Sequence, residues 1–311
     1  MPAVGIIGTG LIGRAWANVF ARGGWDVRLW DPDRDALTKA PGLIAEALQD
    51  VARHGLATDP AAAAKRVAVA SSLEDAVRDV EFVQENGPER VEAKLEIFAK
   101  LDAAAPASAI LASSSSAIVS SRFTEKLKGR ARCLIAHPVN PPHVVPIVEL
   151  CGAPWTSPET VKRARAIYES VGQVPIEVKK EIDGFILNRM QGVLLSEAMR
   201  LVGEGFVSAE DLDKTIRDGL GLRWAFMGPF ETIELNAPGG IPDYCARYGE
   251  TLYRTSARPV TPDVWGQENV ARAVESWGKA PSSDAILKKQ RWRDDRIAAL
   301  VAHKKAQPKA E

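Results

Sequence analysis

Val4-Gly5-Ile6-Ile7-Gly8-Thr9-Gly10-Leu11-Ile12-Gly13 joins a short apolar run to a glycine-spaced turn and the first residues of a helical pattern. In a strand–turn–helix unit these glycines have separate tasks. Gly8 permits the tight turn, Gly10 lets the backbone approach a pyrophosphate, and Gly13 lets helix and strand pack closely. The helix start at Leu11-Ile12 turns unpaired N–H groups and a positive dipole end toward phosphate. A second strand, Val27-Arg28-Leu29-Trp30, ends at Asp31, eighteen residues after Gly13 and near the usual separation of about twenty for an acid that binds ribose. A carboxylate there accepts from the ribose hydroxyls and repels a 2′-phosphate. The segment therefore reads as an NAD site, with Gly8, Gly10, Leu11, Ile12, Gly13 and Asp31 against the cofactor.

Beyond Asp31 the alternation continues. Short runs at Val67–Val69, Phe82–Gln84, Ala109–Ala112, Cys133–Ala136, Ile147–Leu150 and Pro175–Val178 are separated by longer helical stretches. Such alternation predicts an α/β, Rossmann-like, doubly wound, mostly parallel sheet. The interval from Asp33 to Arg66 is long for one crossover. It reads as two helices broken near Gly55 and Asp59-Pro60, a helical hairpin standing off the sheet. After Gly184 the strand signal ends. Ile186 to Val202 is apolar on most of its circumference, the pattern of a buried helix. Ser208 reads as the N-cap of the next helix, and further helices are expected at about 228–236, 243–252, 263–276 and 283–302. The division expected is residues 1–183, a Rossmann-like domain with a helical hairpin insertion, and 184–311, an all-α domain for substrate and dimerisation.

Composition excludes several classes. Lys+Arg and Asp+Glu balance at 40 each, which favours neither nucleic acid nor an anionic membrane surface. No apolar run approaches the roughly 20 residues of a membrane helix. The N-terminus enters a strand at once, without the pattern of a signal peptide. Cys133, Cys151 and Cys245 are scattered, as expected of cytoplasmic thiols, and no metal-ligand spacing is visible. The tail from Lys304 to Glu311 reads as solvated and frayed.

Oxidising an alcohol requires a base for the hydroxyl proton. Of four histidines, His54 and His303 read as surface residues. His137 follows the run Cys133-Leu134-Ile135-Ala136, at the carboxyl end of a strand, where open α/β sheets bind ligands. Pro138, Pro141 and Pro142 stiffen the loop after it. Glu149 stands twelve residues on, near the end of another apolar run, and a histidine ring is its natural partner. On spacing alone, a loop histidine and a half-buried glutamate fit equally well. Ser113–Ser116 lie at another strand end, either as ligands of a substrate oxygen or nicotinamide amide or as a capping turn. Asn188, one turn into the apolar helix, needs a partner in backbone or substrate.

At these residues the chain resembles the 3-hydroxyacyl-CoA dehydrogenase superfamily over nearly its whole length. The likeness is carried by Gly8-x-Gly10-x-x-Gly13, Glu85-Asn86-Gly87-Pro88-Glu89, the serines, His137-Pro138-x-Asn140-Pro141, Glu149, Gly184-Phe185-x-x-Asn188-Arg189 and Gly228-Pro229-Phe230-Glu231. It implies His137 as catalytic base, Glu149 as its orienting acid, and Ser116 and Asn188 at the reacting oxygen. It also implies Asn140 as a substrate-side support and Glu85 beside the cofactor. Within the superfamily the chain is most similar to the λ-crystallin branch, which includes L-gulonate 3-dehydrogenase, through Ile12-Gly13-Arg14-x-Trp16-Ala17, Val178-Lys179-Lys180-Glu181, Gly219 to Phe226 and Arg291-Trp292-Arg293-Asp294.

Before the Gly228-Pro229-Phe230-Glu231 turn, thioester-using members tend to have a Gly-Tyr-Pro-like sequence. Here the stretch is Arg223-Trp224-Ala225-Phe226-Met227. A guanidinium is a planar, two-pronged donor suited to a free carboxylate. The expectation is a homodimeric NAD-dependent dehydrogenase in which Arg223 clamps a small L-gulonate-like 3-hydroxy acid. The alternative substrate is an L-3-hydroxyacyl-CoA such as 3-hydroxybutyryl-CoA. Arg223 could instead be a surface residue or pair with Asp218 or Glu231. An abundant structural protein or an NAD-responsive binding module is the reading that loss of the His137 and Glu149 pair would favour, and both residues are present.

Overall fold

The computed structural model describes residues 1–256, 261–277 and 282–308. Eight strands form one sheet: β1 (Ala3–Ile7), β2 (Asp26–Trp30), β3 (Val67–Val69), β4 (Phe82–Glu85), β5 (Ile110–Ser113), β6 (Cys133–Pro138), β7 (Ile147–Gly152) and β8 (Val174–Glu177). Their order is β3-β2-β1-β4-β5-β6-β7-β8. Each neighbouring pair is parallel except β6 and β7. The order reverses between β1 and β4, which opens the ligand crevice of such sheets at the carboxyl ends of these strands.

Period-2 alternation within the strands feeds two cores, because successive side chains leave opposite faces of a sheet. On one face Val4, Ile6, Val27, Leu29, Phe82, Ile110 and Leu134 pack with Trp16 and Phe20 of α1 (Leu11–Arg22), Leu37 to Leu48 of α2 (Arg34–Ala52) and Tyr168. α2 thus belongs to the layer on α1. The expected hairpin standing off the sheet is replaced by a packed one, because Leu37, Ala40, Ile44 and Leu48 recur at helical spacing along one buried side. α3 (Pro60–Lys65), capped by Asp59, completes that crossover. On the other face Ile7, Val83, Leu111, Cys133, Ile135 and Cys151 meet α4 (Leu73–Val77), α5 (Val91–Ala104) and Phe123 of α6 (Ser121–Thr124). α7 (Pro158–Ser170) leads into β8 and carries Tyr168.

The helical part comprises α8 (Leu187–Gly203), α9 (Ala209–Lys214), a π-helical turn at Thr215–Leu220, α10 (Gly221–Trp224), α11 (Pro229–Glu234), α12 (Gly240–Ser256), α13 (Gln267–Trp277) and α14 (Ser283–Ala306). Ser208 caps α9, its hydroxyl accepting from the Asp211 N–H at 3.1 Å. The helix expected to be buried is not: on α8, Met190 is 63% and Val193 72% exposed, and Val202 is its one buried large apolar side chain.

By internal contacts, residues 1–188 and 287–311 form one compact unit and 189–286 another, where the sequence suggested 1–183 and 184–311. The second half of α14 belongs with the first unit because Ala298 is buried against Val51, Ala57 and Val144. There His54 Nε2 lies 2.7 Å from Asp295 Oδ1, so His54 ties the turn after α2 to α14 rather than being a plain surface residue. Lys304 to Ala306 continue α14 and are not frayed, whereas residues 309–311 lie outside the described residues. No helix among the described residues is long and apolar enough to cross a membrane.

Candidate active site

The glycine loop closes β1 onto α1. Gly8 has φ +90°, a left-handed backbone that side chains disfavour, and a Cβ on Gly13 would stand 1.8 Å from the Gly8 carbonyl oxygen. A Cβ on Gly10, by contrast, would meet nothing within 4 Å. Gly10 is also the N-cap of α1 and has no side chain to satisfy the first N–H groups. The loop therefore leaves open space in front of an uncapped helix start, the cradle a dinucleotide pyrophosphate requires. Leu11, 67% exposed, borders it.

Asp31 stands beside this loop and also holds it. Its Oδ2 accepts from the N–H (2.6 Å) and hydroxyl (3.0 Å) of Thr9, and its Oδ1 from the N–H of Asp33 (2.9 Å). A carboxylate has about four acceptor positions, so about one is left for a ribose hydroxyl rather than a full pair. Arg14 donates to the Thr9 carbonyl at 3.0 Å and braces the same turn.

Glu85 differs from expectation. Its carboxylate is fully buried and engaged by Lys94 Nζ (2.8 Å to both oxygens), the Gly87 N–H (2.6 Å) and the Ser113 hydroxyl (2.6 Å), so its side chain supports the loop and is not presented to a cofactor. Burying either charge alone would be costly, which is why Lys94 is drawn completely inside. Above this pair, Ser114 Oγ receives Trp16 Nε1 (3.0 Å) and Gln84 Nε2 (2.8 Å) and donates to Asn86 Oδ1 (2.7 Å). Glu89 binds the Ser115 hydroxyl and the N–H groups of Ala117 and Ile118. Burial opposes its charge, yet these hydrogen bonds hold the Glu89 carboxyl below its usual range. Three of the four serines are thus structural. Ser116 differs: its carbonyl accepts from Asn188 Nδ2 at 2.9 Å, and its hydroxyl has no partner among the described residues.

β6 runs through His137 and includes Pro138, and Glu149 is the third residue of β7 rather than near a strand end. The two strands are antiparallel, and their register sets His137 opposite Glu149. His137 Nδ1 lies 2.8 Å from Glu149 Oε2, with both side chains buried. An ionised carboxylate only accepts, so Nδ1 carries the proton and Nε2 of the neutral ring keeps its lone pair. The other oxygen, Oε1, accepts from the N–H groups of Ile186 (2.9 Å) and Leu187 (3.0 Å). Phe185, fully buried, lays its ring 5.4 Å from that of His137. Asn140 is exposed in the loop after β6. Residues 116, 137, 149 and 188 all belong to the first compact unit.

Arg223 lies in the second unit, exposed on α10. It makes no ion pair among the described residues, and Asp218 is taken by Arg217 at 2.7 Å. No group of three or more His, Cys, Asp or Glu among the described residues could hold a metal. Lys94, Thr9 and Phe185 were missed as site residues. Lys94 carried one signal, a lysine on the side of α5 that otherwise buries Phe98 and Leu101.

Residues 3–182 match the model of the 3-hydroxyacyl-CoA dehydrogenase NAD binding domain, and 184–273 that of the 3-hydroxyacyl-CoA dehydrogenase C-terminal domain. The chain belongs to the 3-hydroxyacyl-CoA dehydrogenase family. It is 39% identical over 312 residues to lambda-crystallin of Oryctolagus cuniculus, covering 98% of each chain. It is 35% identical to L-carnitine dehydrogenase of a Pseudomonas species, over 95% of this chain and 91% of that one. Among solved structures it is similar to 5-formyl-3-hydroxy-2-methylpyridine 4-carboxylic acid 5-dehydrogenase, described as an NAD+-dependent dismutase. That match has a TM-score of 0.85 and 26% identity, covering 99% of this chain and 100% of that one. It is likewise similar to (S)-3-hydroxybutyryl-CoA dehydrogenase from Ralstonia eutropha, with a TM-score of 0.67 and 26% identity over 89% and 94% of the two chains. This family member is an NAD-dependent dehydrogenase acting on a CH–OH group, with a substrate of the 3-hydroxy acid or acyl-CoA type.

Proposed function

We propose that the protein oxidises the 3-hydroxyl of a small free 3-hydroxy acid, L-gulonate-like, to the 3-keto acid. The observation that carries the chemistry is the His137–Glu149 pair, buried and joined at 2.8 Å, with Nε2 of the histidine left to accept a proton. The substrate hydroxyl gives its proton to Nε2 as the carbon–hydrogen bond breaks, and Glu149 stabilises the imidazolium that results. Bound NAD supplies the acceptor for the hydride. The Ser116 hydroxyl, without a partner among the described residues, and the carbonyl oxygen of Asn188, whose amide nitrogen is tied to Ser116, are the polar groups for the reacting oxygen; Asn140, exposed in the loop after β6, is assigned as a substrate-side support. Gly8, Gly10, Leu11, Ile12, Gly13 and Asp31 hold the cofactor.

The free acid is favoured by Arg223, an unpaired guanidinium among the described residues, and by the likeness to L-carnitine dehydrogenase. Carnitine and gulonate both carry a carboxylate that a two-pronged donor recognises. The family model and the likeness to (S)-3-hydroxybutyryl-CoA dehydrogenase support a CoA thioester as the second reading. A panel of L-gulonate, L-carnitine, 3-hydroxybutyrate and 3-hydroxybutyryl-CoA, followed by NADH absorbance, separates them. Arg223→Ala is expected to reduce kcat/KM for the preferred free acid by about ten- to a hundredfold, the loss of one charge-assisted contact. Unchanged turnover of every free acid in that variant refutes the clamp.

The protein is further proposed to be a homodimer formed through its helical unit. Between residues 189 and 286, Val202, Ala237 and Val264 are the only apolar side chains that are buried among the described residues. Met190, Val193, Phe206, Phe230 and Leu235 are each more than 60% exposed. A unit with so little core of its own is completed by a second copy.

A further inference from the structure

The segment joining β8 to α8 turns through two consecutive left-handed residues, Gly184 at φ +74° and Phe185 at φ +47°. Glycine tolerates this conformation, whereas the Cβ of phenylalanine is sterically opposed to it. The Phe185 N–H closes the turn on the Ile182 carbonyl at 3.1 Å. The next two peptide groups, those of Ile186 and Leu187, then both point at one carboxylate oxygen, Glu149 Oε1, while the other oxygen faces His137. The Phe185 ring is fully buried in the core beneath β5, β6 and β7 and lies against the imidazole. One strained residue therefore touches the histidine with its side chain and aims backbone at the glutamate.

We propose that the Gly184–Phe185 elbow is a positioning device for the acid–base pair, in which the N–H groups of Ile186 and Leu187 lock Glu149 behind His137 and draw charge from its carboxylate. The inference rests on the proposed roles of His137 and Glu149. Its consequence is electrostatic. The two donors stabilise the pair most when its net charge is −1, with imidazole neutral, and less when imidazole is protonated and the net charge is zero. Removing one donor therefore favours the protonated pair relative to the wild type. The other ionisable group on this part of β7 is Cys151, within electrostatic reach of both Glu149 and Glu181; burial first, then those two carboxylates, pushes its thiol up to about 12, so it stays a neutral thiol near neutral pH.

Leu187 is the first residue of α8, a position that tolerates proline and where the N–H has no helical partner. Leu187→Pro thus removes one donor to Glu149, and Leu187→Ala keeps it. The probe is the titration of the His137 ring by NMR without cofactor, assigned by its disappearance in His137→Gln, together with the acid limb of kcat/KM against pH. Leu187→Pro is expected to raise the ring's titration midpoint and the acid limb together by about half to one pH unit; Leu187→Ala leaves both in place. A folded Leu187→Pro with an unmoved midpoint overturns the proposal. If that variant does not fold, Phe185→Val and Phe185→Gly decide. Both delete the ring, but only valine resists the left-handed backbone, so only valine is expected to shift the midpoint, and equal behaviour overturns the elbow. Full activity in His137→Gln would instead refute the acid–base reading itself and leave the NMR result to judge the elbow alone.

Discussion

His137 sits 2.8 Å from Glu149 with its far nitrogen unengaged, which gives the site a proton acceptor of fixed tautomer. Replacing it with alanine is expected to lower kcat/KM by about 10²- to 10⁴-fold, the usual weight of a general base, while NAD affinity measured by tryptophan fluorescence stays within a factor of about two. Activity within tenfold of wild type would remove His137 from the chemistry. At this scale much could be read in advance. A histidine directly after an apolar run, followed by three prolines, already marked the end of β6. Spacing alone could not establish its bond to Glu149, because eleven intervening residues fit a parallel crossover or a hairpin, and only the antiparallel register of β6 and β7 places the two opposite each other. Glu85 shows the opposite error. A family pattern marks a position without saying whether its side chain faces a ligand, and here Lys94, four residues into α5, claims the carboxylate from inside.

Among the elements, the turn between β1 and α1 separates two roles for glycine that a motif runs together. A methyl group at Gly13 would collide with the Gly8 carbonyl, whereas one at Gly10 projects into open space. Gly13→Ala is therefore expected to lower the melting temperature of the apoprotein and Gly10→Ala to leave it within about 1 °C, while both weaken NAD binding by tenfold or more, as calorimetry and fluorescence titration would record. A stable Gly10→Ala variant with normal NAD affinity would mean that the cofactor does not approach this loop. β1 to β8 were legible because their apolar runs are short and bounded by helical stretches or turns. α8 was misjudged because periodicity reports which side is apolar and not what covers it; on the single chain Met190 and Val193 stay in solvent.

For the whole molecule, stability toward acid is tied to a half-buried imidazole, that of His143. Burial, with the nearby Arg22 guanidinium adding repulsion, pushes His143 down to about 4. Its folded value lies below its unfolded one, so as pH falls from about 6.5 to 4 the unfolded chain gains a proton that the folded chain refuses, and up to roughly 2–3 kcal/mol of stability is lost across that window. His143→Gln should flatten the pH dependence of the urea midpoint there, and an unchanged slope would show that other groups set acid sensitivity. The helical unit makes a separate prediction. Met190→Glu combined with Val193→Glu is expected to convert a dimer of about twice 33.6 kDa into monomers by light scattering, since two charges would enter a face that is apolar and open on each chain. A wild-type protein that scatters as a monomer would end the proposal.

The first unit is written in two instalments, because Leu287–Glu311 returns to it after the helical unit has been spelled out. On the ribosome, β1 to β8 emerge long before the stretch of α14 that shields Val51, Ala57 and Val144. The nucleotide-binding half must wait with that apolar seam uncovered until α14 has been translated. Premature release before Leu287 would leave a polypeptide with the His137–Glu149 pair encoded in full and its hull unsealed.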